Sequence, residues 1–378
     1  MSNGKFTVGF VRRGYSVSGG AESYLKRLGR GVAELGHQAH LFTTTDWPAE
    51  DWSFGPVKYL RARSPIGFAN ELENLRRQID CDVLMSLERV SSCDIYRAGD
   101  GVHRAWLDRR AQVEGPLQRL WDRLNPKHRD LLRLEKVLLN DRGAERVIAN
   151  SQMVKKEIVD IYNYRPDRID VVRNGVPLAE FQFDPGVREI SRAHLGLGAD
   201  DVAVLFVGSG WERKGLRFAI EAVESCLKPA LRLLVAGRGN QIRYQSPRTQ
   251  FLGEVAGLAR IYAAADIFIL PTIYDPFSNA SLEALAAGLP VITTRANGCS
   301  EIMENKIHGT IVNSADDIAE LRKALDVWSD ATWRAAARPT IRKHAAQFDI
   351  SKNVAQTVEI LIQTASEAAL RSGKMRNT

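Results

Sequence analysis

Two cations stand side by side in the glycine-rich segment Gly208-Ser-Gly-Trp-Glu-Arg213-Lys214-Gly215. A diphosphate needs charge neutralisation, which arginine supplies as a planar fork and lysine as a point charge. The segment is not a dinucleotide-binding fingerprint, because Arg213 occupies the third glycine position of GxGxxG, and it lacks the Gly-Lys-Ser/Thr end of a Walker A loop. It indicates a diphosphate site; two exposed cations on a helix are the alternative.

Two carboxylates lie eight residues apart in Asp275-Pro-Phe-Ser-Asn-Ala-Ser-Leu-Glu283, which is followed by Ala-Leu-Ala-Ala-Gly-Leu-Pro-Val. The proline and the asparagine within this segment predict a loop, with a helix beginning near Ser281. A carboxylate can accept both hydroxyls of a ribose. The backbone amides of residues 278–280 could meet phosphate or sugar oxygens. Glu283 could instead be a first-turn partner of the helix dipole.

A third candidate site, Gly19-Gly20, precedes a predicted helix that begins near Ala21. Glycines let a backbone approach a ligand closely, and the helix N-terminus that follows offers free amides to an anion. A tight turn that needs a positive φ angle is the alternative explanation of this pair.

The elements that must position these residues alternate between strands and helices. In the first half the predicted strands are 6–11, 40–44, 82–86 and 146–149, and the predicted helices are 21–35, ended by Gly36, and 151–162. The pattern restarts with strands 202–207, 231–236, 267–270 and 290–294 and helix 281–287. This alternation predicts an α/β fold of two Rossmann-like, doubly wound domains. Ligands of such sheets bind beyond the carboxyl ends of the strands.

The expected domains are residues 1–174 and 175–350, with the join near Asn174-Gly175-Val176-Pro177. A helix at about 352–372 is expected to pack back on the first domain. A length of 378 residues fits two domains of typical size.

Composition points to a cytoplasmic protein with acidic ligands. The net charge of +7 favours nucleotides, phosphorylated glycans or an anionic membrane face, and we expect no nucleic-acid partner. No apolar run approaches the roughly 18 to 20 residues that span a bilayer, and the N-terminus lacks the features of a secretory signal. The four cysteines are scattered without metal-ligand spacing, which favours reduced thiols.

The segment 104–136 departs from the α/β pattern. It contains nine Arg/Lys against five Asp/Glu, with Trp106, Trp121 and several leucines among them. Basic residues beside tryptophan and leucine suit a membrane interface. A solvated helical hairpin whose tryptophans pack on the core is the alternative.

Together these motifs resemble glycosyltransferase family four, which has the GT-B fold, two Rossmann-like domains facing each other across a cleft. Asn150-Ser151 and Asn174-Gly175-Val176 stand where that family has such residues, and the resemblance covers nearly the whole chain. It implies a donor site formed by the following residues: Gly19, Gly20, Gly208, Arg213, Lys214, Arg238, Asp275, Ser278, Asn279, Ala280 and Glu283.

Within that site the resemblance implies separate roles. Arg213 and Lys214 would bind the donor diphosphate and stabilise the departing nucleotide, Glu283 would hold the ribose hydroxyls, and Asp275 would contact the transferred sugar. Gly20 would close the phosphate site from the first domain. The family usually has Glu at the position of Asp275 and Gly at that of Ser278, so the conformation of this loop stays open.

The segment Tyr96-Arg-Ala-Gly-Asp100-Gly-Val-His103 and the basic stretch after it resemble the lipopolysaccharide core glucosyltransferases. Those enzymes transfer glucose from UDP-glucose to an inner-core heptose. The resemblance implies that Asp100 lies beside the reacting sugar and that His103 belongs to the acceptor pocket. A structural hydrogen bond is the alternative role of His103.

The implied reaction is a hexosyl transfer with retention at the anomeric carbon, by front-face attack on an oxocarbenium-like centre. Arg213 and Lys214 would meet the charge that develops on the β-phosphate. No metal or other cofactor is expected, because fixed cations take that role. The sequence Asp80-Cys81-Asp82 is a DxD of the kind that binds manganese in other glycosyltransferases, but it begins a strand and should lie away from the ligand edge.

The expected partners are thus a nucleotide-sugar donor, a lipid-linked glycan acceptor and an anionic membrane surface contacted through 104–136, on the inner face of the cytoplasmic membrane. Alternatives are a family-four transferase that uses GDP-mannose or UDP-GlcNAc for another cell-surface glycan, and a non-catalytic nucleotide-sugar-binding module. An NAD(P)-dependent oxidoreductase is disfavoured, because neither domain has a full GxGxxG with an acid about 20 residues later.

Overall fold

The chain forms two compact units, each with its own parallel sheet. The computed structural model describes residues 5–15, 20–115, 120–121, 124–228 and 230–371. Unit 1 comprises Met1–Leu107, Gly115–Arg173 and Ser351–Thr378, and unit 2 comprises Asp108–Glu114 and Asn174–Ile350.

Unit 1 is built on a seven-stranded parallel sheet. Its strands are β1 (Thr7–Val11), β2 (Gln38–Thr44), β3 (Val57–Leu60), β4 (Val83–Ser86), β5 (Cys93–Ala98), β6 (Ala144–Ala149) and β7 (Ile169–Val171). Their spatial order is β3-β2-β1-β4-β5-β6-β7, so the direction of winding reverses between β1 and β4. Central strands such as β4 are buried along their whole length, as expected for a sheet covered on both faces.

The helices of unit 1 cover this sheet. They are Gly20–Glu34, Pro65–Leu75, the first residues of His103–Val113, Pro126–Leu139, Gln152–Tyr162 and nearly all of Ile350–Arg371, with 3-10 turns at Ala49–Asp51, Arg76–Gln78 and Pro166–Arg168. The last helix packs against the first one. A side chain at Gly31 would meet Val354 Cγ1 at 2.9 Å, and Val358 and Leu361 are buried in the core of unit 1.

Unit 2 repeats the architecture with six parallel strands. They are β8 (Val202–Val207), β9 (Leu231–Ala236), β10 (Thr249–Gly253), β11 (Ile267–Leu270), β12 (Val291–Thr294) and β13 (Gly309–Val312). Their order is β10-β9-β8-β11-β12-β13, which places the reversal between β8 and β11. The two doubly wound sheets predicted from the sequence are therefore present.

The helices of unit 2 complete its core. They are Pro185–His194, Trp211–Lys214, Leu216–Ser225, Leu258–Ala264, Asn279–Ala286, Ile318–Trp328 and Ala331–Ala345, with 3-10 turns at Leu178–Phe181, Gln241–Tyr244, Gly298–Ile302 and Ala346–Phe348. The helix expected from Ser281 begins two residues earlier, at Asn279, because Ser278 caps it by accepting the Ser281 amide at 3.2 Å.

Candidate functional site

The reversal of winding in unit 2 brings two loops together at the carboxyl edge of the sheet. Strands β8 and β11 are hydrogen-bonded neighbours, and their connecting helices leave in opposite directions. In open α/β sheets this is where a crevice forms. The loop after β8 carries residues 208–215, and the loop after β11 carries residues 271–278.

Two glycines in the loop after β8 allow close contacts that a side chain would block. Gly208 has a φ of +141°, and a Cβ there would lie 2.6 Å from Cδ of Lys214, so its absence lets the lysine stem cross the chain. Gly215 has a φ of +76°, and a Cβ there would lie 1.9 Å from the Pro271 carbonyl oxygen. Between them, Trp211–Lys214 forms one helical turn that carries both cations at its end.

Arg213 fixes this turn to the loop after β11. Its carbonyl oxygen accepts the Ile273 amide and the Thr272 hydroxyl, both at 2.9 Å. Its guanidinium donates through Nη1 to the Tyr274 carbonyl at 3.0 Å. The two loops are therefore held as one body, with Arg213 at their junction.

Lys214 and Asp275 form a largely buried ion pair at the same place. Lys214 Nζ lies 3.1 Å from Asp275 Oδ2, and the side chains are 13% and 7% exposed. Burial alone would raise the pKa of Asp275, but Lys214 and Arg213 together lower it below its ordinary value. The carboxylate is thus ionised and holds the ammonium at the strand ends.

Glu283 lies in the second turn of the helix Asn279–Ala286, which excludes its alternative role as a first-turn dipole partner. Its Oε2 accepts a hydrogen bond from the Tyr262 hydroxyl at 2.9 Å, and Tyr262 also contacts the Ala280 carbonyl at 3.1 Å. Burial raises the pKa of Glu283, and attraction to Lys214 partly offsets the effect. Glu283 therefore lies close enough to Lys214 for the positive charge to lower the pKa of its carboxyl.

Tyr262 was not anticipated from the sequence. It is fully buried and belongs to the helix Leu258–Ala264, at no motif-like spacing from Glu283. Its hydroxyl fixes one carboxylate oxygen of Glu283, Oε2.

Two other predicted donor residues, Arg238 and Asn279, are held by hydrogen bonds within unit 2. The Arg238 amide donates to Ser209 Oγ at 3.2 Å, but its guanidinium is largely exposed and pairs with Glu254 at 2.9 Å. The side chain of Asn279 accepts from Asn174 Nδ2 at 2.7 Å. Asn279 and Ala280 stand at the start of their helix, where backbone amides are without helical partners.

Unit 1 has a charged cluster at its own reversal point. Arg12, after β1, donates to Glu88, after β4, at 2.7 Å and to Glu22 at 3.2 Å. Gly20 is the first residue of the helix that carries Glu22, and Gly19 lies outside the described residues. This cluster has no signature in the sequence, since its three members come from separate segments.

Asp100 lies in an exposed turn after β5, near enough to Arg12 and Glu88 to affect the pKa of each. His103 begins the next helix, and its amide donates to the buried Glu135 at 2.8 Å. Its Nε2 lies 3.1 Å from His128 Nδ1. Burial, and after it the positive charge of Arg89, lowers the pKa of His103 to about 3. His103 is therefore a neutral hydrogen-bonding group.

The described part of the basic segment 104–136 contains partnered arginines and an exposed tryptophan. Arg110 pairs with Glu114 at 2.8 Å and with Glu212 at 3.4 Å. Arg109 lies over the ring of Tyr274, 5.3 Å from its centroid. By contrast Trp121, which is 69% exposed, lies among exposed leucines. Residues 116–119 and 122–123 lie outside the described residues.

The DxD sequence lies at the amino end of β4, as predicted. Asp82 Oδ2 accepts the Thr7 amide at 2.8 Å, so this carboxylate ties β4 to β1. Within the described ranges no three His, Cys, Asp or Glu side chains are grouped as metal ligands. None of the helices in those ranges combines the length and apolar character needed to cross a bilayer.

Two family models match the chain. One, described as Glycosyltransferase Family 4, matches residues 18–180, and the other, described as Glycosyl transferases group 1, matches residues 201–330. A probable transglycosylase of Burkholderia thailandensis is 29% identical over 96% of this chain and 98% of its own length. For other curated relatives the chain spans only about half of their length.

Solved structures share the fold at low sequence identity. WaaG, a glycosyltransferase involved in lipopolysaccharide biosynthesis, has a TM-score of 0.80 at 21% identity, over 94% of this chain and 99% of that one. Anabaena HepE, in complex with UDP and glucose, has a TM-score of 0.72 at 19% identity, over 95% of this chain and 100% of that one.

Proposed function

The chain belongs to the family-four glycosyltransferases and has the two-domain GT-B fold, and from this premise we propose that it transfers glucose from UDP-glucose to a glycan acceptor. The observation that carries the proposal is the convergence of Arg213, Lys214, Asp275 and Glu283 at the reversal point of one sheet. Two cations and two carboxylates match the phosphates, sugar and ribose of a nucleotide sugar.

Each group has a part in the proposed donor site. Lys214 and Arg213 neutralise the diphosphate, since both already lie at the ends of β8 and β11. Glu283, whose Oε2 is fixed by Tyr262, accepts the ribose hydroxyls. Asp275 contacts the hexose, and the amides of Asn279 and Ala280 face phosphate or sugar oxygens.

The proposed reaction retains the configuration at the anomeric carbon. The bond from C1 to the β-phosphate oxygen breaks, and its electron pair stays on that oxygen. The acceptor hydroxyl oxygen bonds to C1 from the same face, and its proton passes to the departing phosphate. Arg213 and Lys214 stabilise the charge that develops on the leaving group, so no metal ion is required.

The proposed donor and acceptor are chosen from the similarity of the fold to two solved structures. HepE is described with UDP and glucose, and WaaG with lipopolysaccharide biosynthesis. We therefore favour UDP-glucose and an inner-core heptose of lipopolysaccharide, with Asp100 and His103 on the acceptor side. The alternatives are GDP-mannose or UDP-GlcNAc as donor and a different surface glycan as acceptor.

The proposed location is the cytoplasmic face of the inner membrane. Trp121 and its exposed leucine neighbours, together with the exposed cations Lys127 and Arg129, would contact anionic lipid. A lipid-linked acceptor would then be presented at the surface where the enzyme is bound.

Thermal shift with UDP-, GDP- and ADP-sugars, followed by an assay of nucleotide release, tests the proposal. A ligand that binds only the folded state raises the melting temperature. We expect UDP-glucose to give the largest shift and to be slowly cleaved to UDP. A larger shift with a GDP-sugar would overturn the donor assignment, and binding without any release would indicate a non-catalytic module.

A further inference from the structure

Asn297 is a fully buried side chain at the centre of the loop that carries Asp275. We propose that Asn297 is a positioning residue, which sets the donor-contacting conformation of residues 275–281 without itself touching the donor. The inference rests on the proposed function of that loop, and no catalytic or binding role was expected for Asn297 from the sequence.

Both ends of the Asn297 amide are fully used. Its Oδ1 accepts the Ser278 amide at 3.1 Å and the Cys299 amide at 3.0 Å. Its Nδ2 donates to Ser281 Oγ at 3.1 Å and to Thr293 Oγ1 at 3.0 Å. One side chain therefore connects the cap of the helix, its first turn and the end of β12.

The main chain beside Asn297 holds the other end of the loop. The Asp275 amide donates to the Ala296 carbonyl at 2.9 Å, and the Gly298 amide donates back to the Asp275 carbonyl at 2.9 Å. These two bonds form an isolated parallel bridge between Asp275 and Asn297. Asp275 is thus held by the main chain on either side of Asn297, and Ser278 is held by the Asn297 side chain.

This arrangement explains how the loop functions with serine at position 278. The Ser278 amide, which the sequence had suggested as a ligand contact, is instead donated to Asn297, and its hydroxyl caps the helix. The amides of Asn279 and Ala280 remain at the open helix start. Asn297 accordingly decides which amides face the donor.

The position of Asn297 also limits its role. It is fully buried, as are Ser281 and Thr293, the two hydroxyl residues to which it donates. All four of its side-chain hydrogen bonds are to protein atoms within unit 2. It therefore acts through Asp275 and the helix start. Loss of its side chain should weaken donor binding by more than the accompanying loss of global stability explains.

The test compares Asn297→Ala with a control that removes a hydrogen bond elsewhere in unit 2. In the control, Thr310→Val, the lost bond is the one that Trp328 Nε1 donates to Thr310 Oγ1 at 3.0 Å. Both variants should melt at lower temperature. Only Asn297→Ala should weaken UDP binding, by about tenfold, and lower kcat/KM for UDP-glucose cleavage by roughly 10- to 100-fold, because displaced groups no longer meet the donor.

A graded variant keeps the test decisive if Asn297→Ala does not fold. Ser281→Ala removes one of the two acceptors of Nδ2 and should give a smaller loss of UDP affinity in the same direction. In a foldable double variant the two effects should be non-additive, since both act on one network.

The possible failures are distinguishable. If UDP binds Asn297→Ala as tightly as it binds the unaltered chain, the positioning role is overturned and the proposed function stands. The same holds if Asn297→Ala does not fold and UDP binds Ser281→Ala as tightly as it binds the unaltered chain. If Thr310→Val loses as much UDP affinity as Asn297→Ala, instability explains the loss and the role is again overturned. If the unaltered chain binds no UDP, the proposed function and this inference fall together.

Discussion

Lys214 Nζ and Asp275 Oδ2 lie 3.1 Å apart and join the loop after β8 to the loop after β11. The positive charges of Lys214 and Arg213 lower the pKa of Asp275 despite its burial, and the carboxylate orients the ammonium. The lysine is therefore held at the strand ends before any phosphate arrives. A pre-positioned charge needs little reorganisation when a negative ligand binds or a leaving group departs.

Replacing Glu283 by glutamine should have opposite effects on binding and stability. Loss of a charge-assisted contact with the ribose should weaken UDP binding by about 10- to 100-fold. The raised pKa means that the folded state binds this proton more tightly than the unfolded state, so stability falls as pH rises through the raised pKa. At neutral pH Glu283→Gln removes that cost, and the melting temperature without ligand should rise.

Calorimetry and thermal melts at pH 7 measure both effects of this substitution. The unaltered chain should also lose UDP affinity on acidification, as pH falls through the raised pKa of Glu283, and the variant should not show this step. A variant with unchanged UDP affinity would give Glu283 a purely structural role.

Tyr262→Phe tests the orientation of Glu283. Removing the 2.9 Å hydrogen bond should weaken UDP binding by about two- to tenfold, in line with roughly 0.5–1.5 kcal/mol for such a bond. Tyr164→Phe is the matched control, since this buried tyrosine donates to the Ala144 carbonyl in unit 1. Calorimetric titration of UDP should show weaker binding to Tyr262→Phe than to Tyr164→Phe. Equal affinities for Tyr262→Phe and the control would contradict the orienting role.

His103 should remain neutral throughout the physiological range. Burial, with Arg89 and His128 as further causes, lowers the pKa of His103 to about 3. Its ring proton signals in NMR should therefore not titrate between pH 5 and 8, with His103→Gln used to assign them. A midpoint near 6.5 would show that the pocket is open to solvent and that His103 is available as an acid or base.

Membrane binding should depend on Trp121. Trp121→Ser should reduce cosedimentation with phosphatidylglycerol vesicles, because this exposed ring lies in a basic segment. Trp333→Ser, at an exposed tryptophan of unit 2, is the matched control and should leave sedimentation unchanged. If both substitutions reduce cosedimentation equally, or if neither does, the segment 104–136 is a solvated hairpin and not a membrane-binding surface.

Much of the fold follows from short apolar runs between glycines and prolines. The bounds of β8, β9 and β11 match their predictions, because each is a largely apolar run, interrupted only by Arg232 in β9, that ends at a glycine or a proline. Strand β5 was not predicted, since Asp94 and Arg97 interrupt its apolar pattern. Both are accommodated by tertiary contacts, such as the bond from the Leu84 amide to Asp94 at 2.6 Å.

The start of the helix that carries Glu283 shows what local sequence leaves open. Ser278, Asn279 and Ser281 are all residue types that cap helices. Which of them caps the helix depends on distant partners. The Ser278 amide donates to Asn297, and the Asn279 side chain accepts a hydrogen bond from Asn174. The charged residues of the site were found by type and spacing, whereas Tyr262 and Asn297 act through contacts about 20 residues away and have no spacing signal.

The central claim is that Arg213 and Lys214 of unit 2 bind the diphosphate of a UDP-sugar. Its most direct test is calorimetric titration of UDP into the unaltered chain, Lys214→Ala and a control, Lys323→Ala, at an exposed lysine of the helix Ile318–Trp328. We predict equal affinity for the unaltered chain and the control, and at least about tenfold weaker binding for Lys214→Ala. Binding of UDP to Lys214→Ala as tight as to the unaltered chain would contradict the claim.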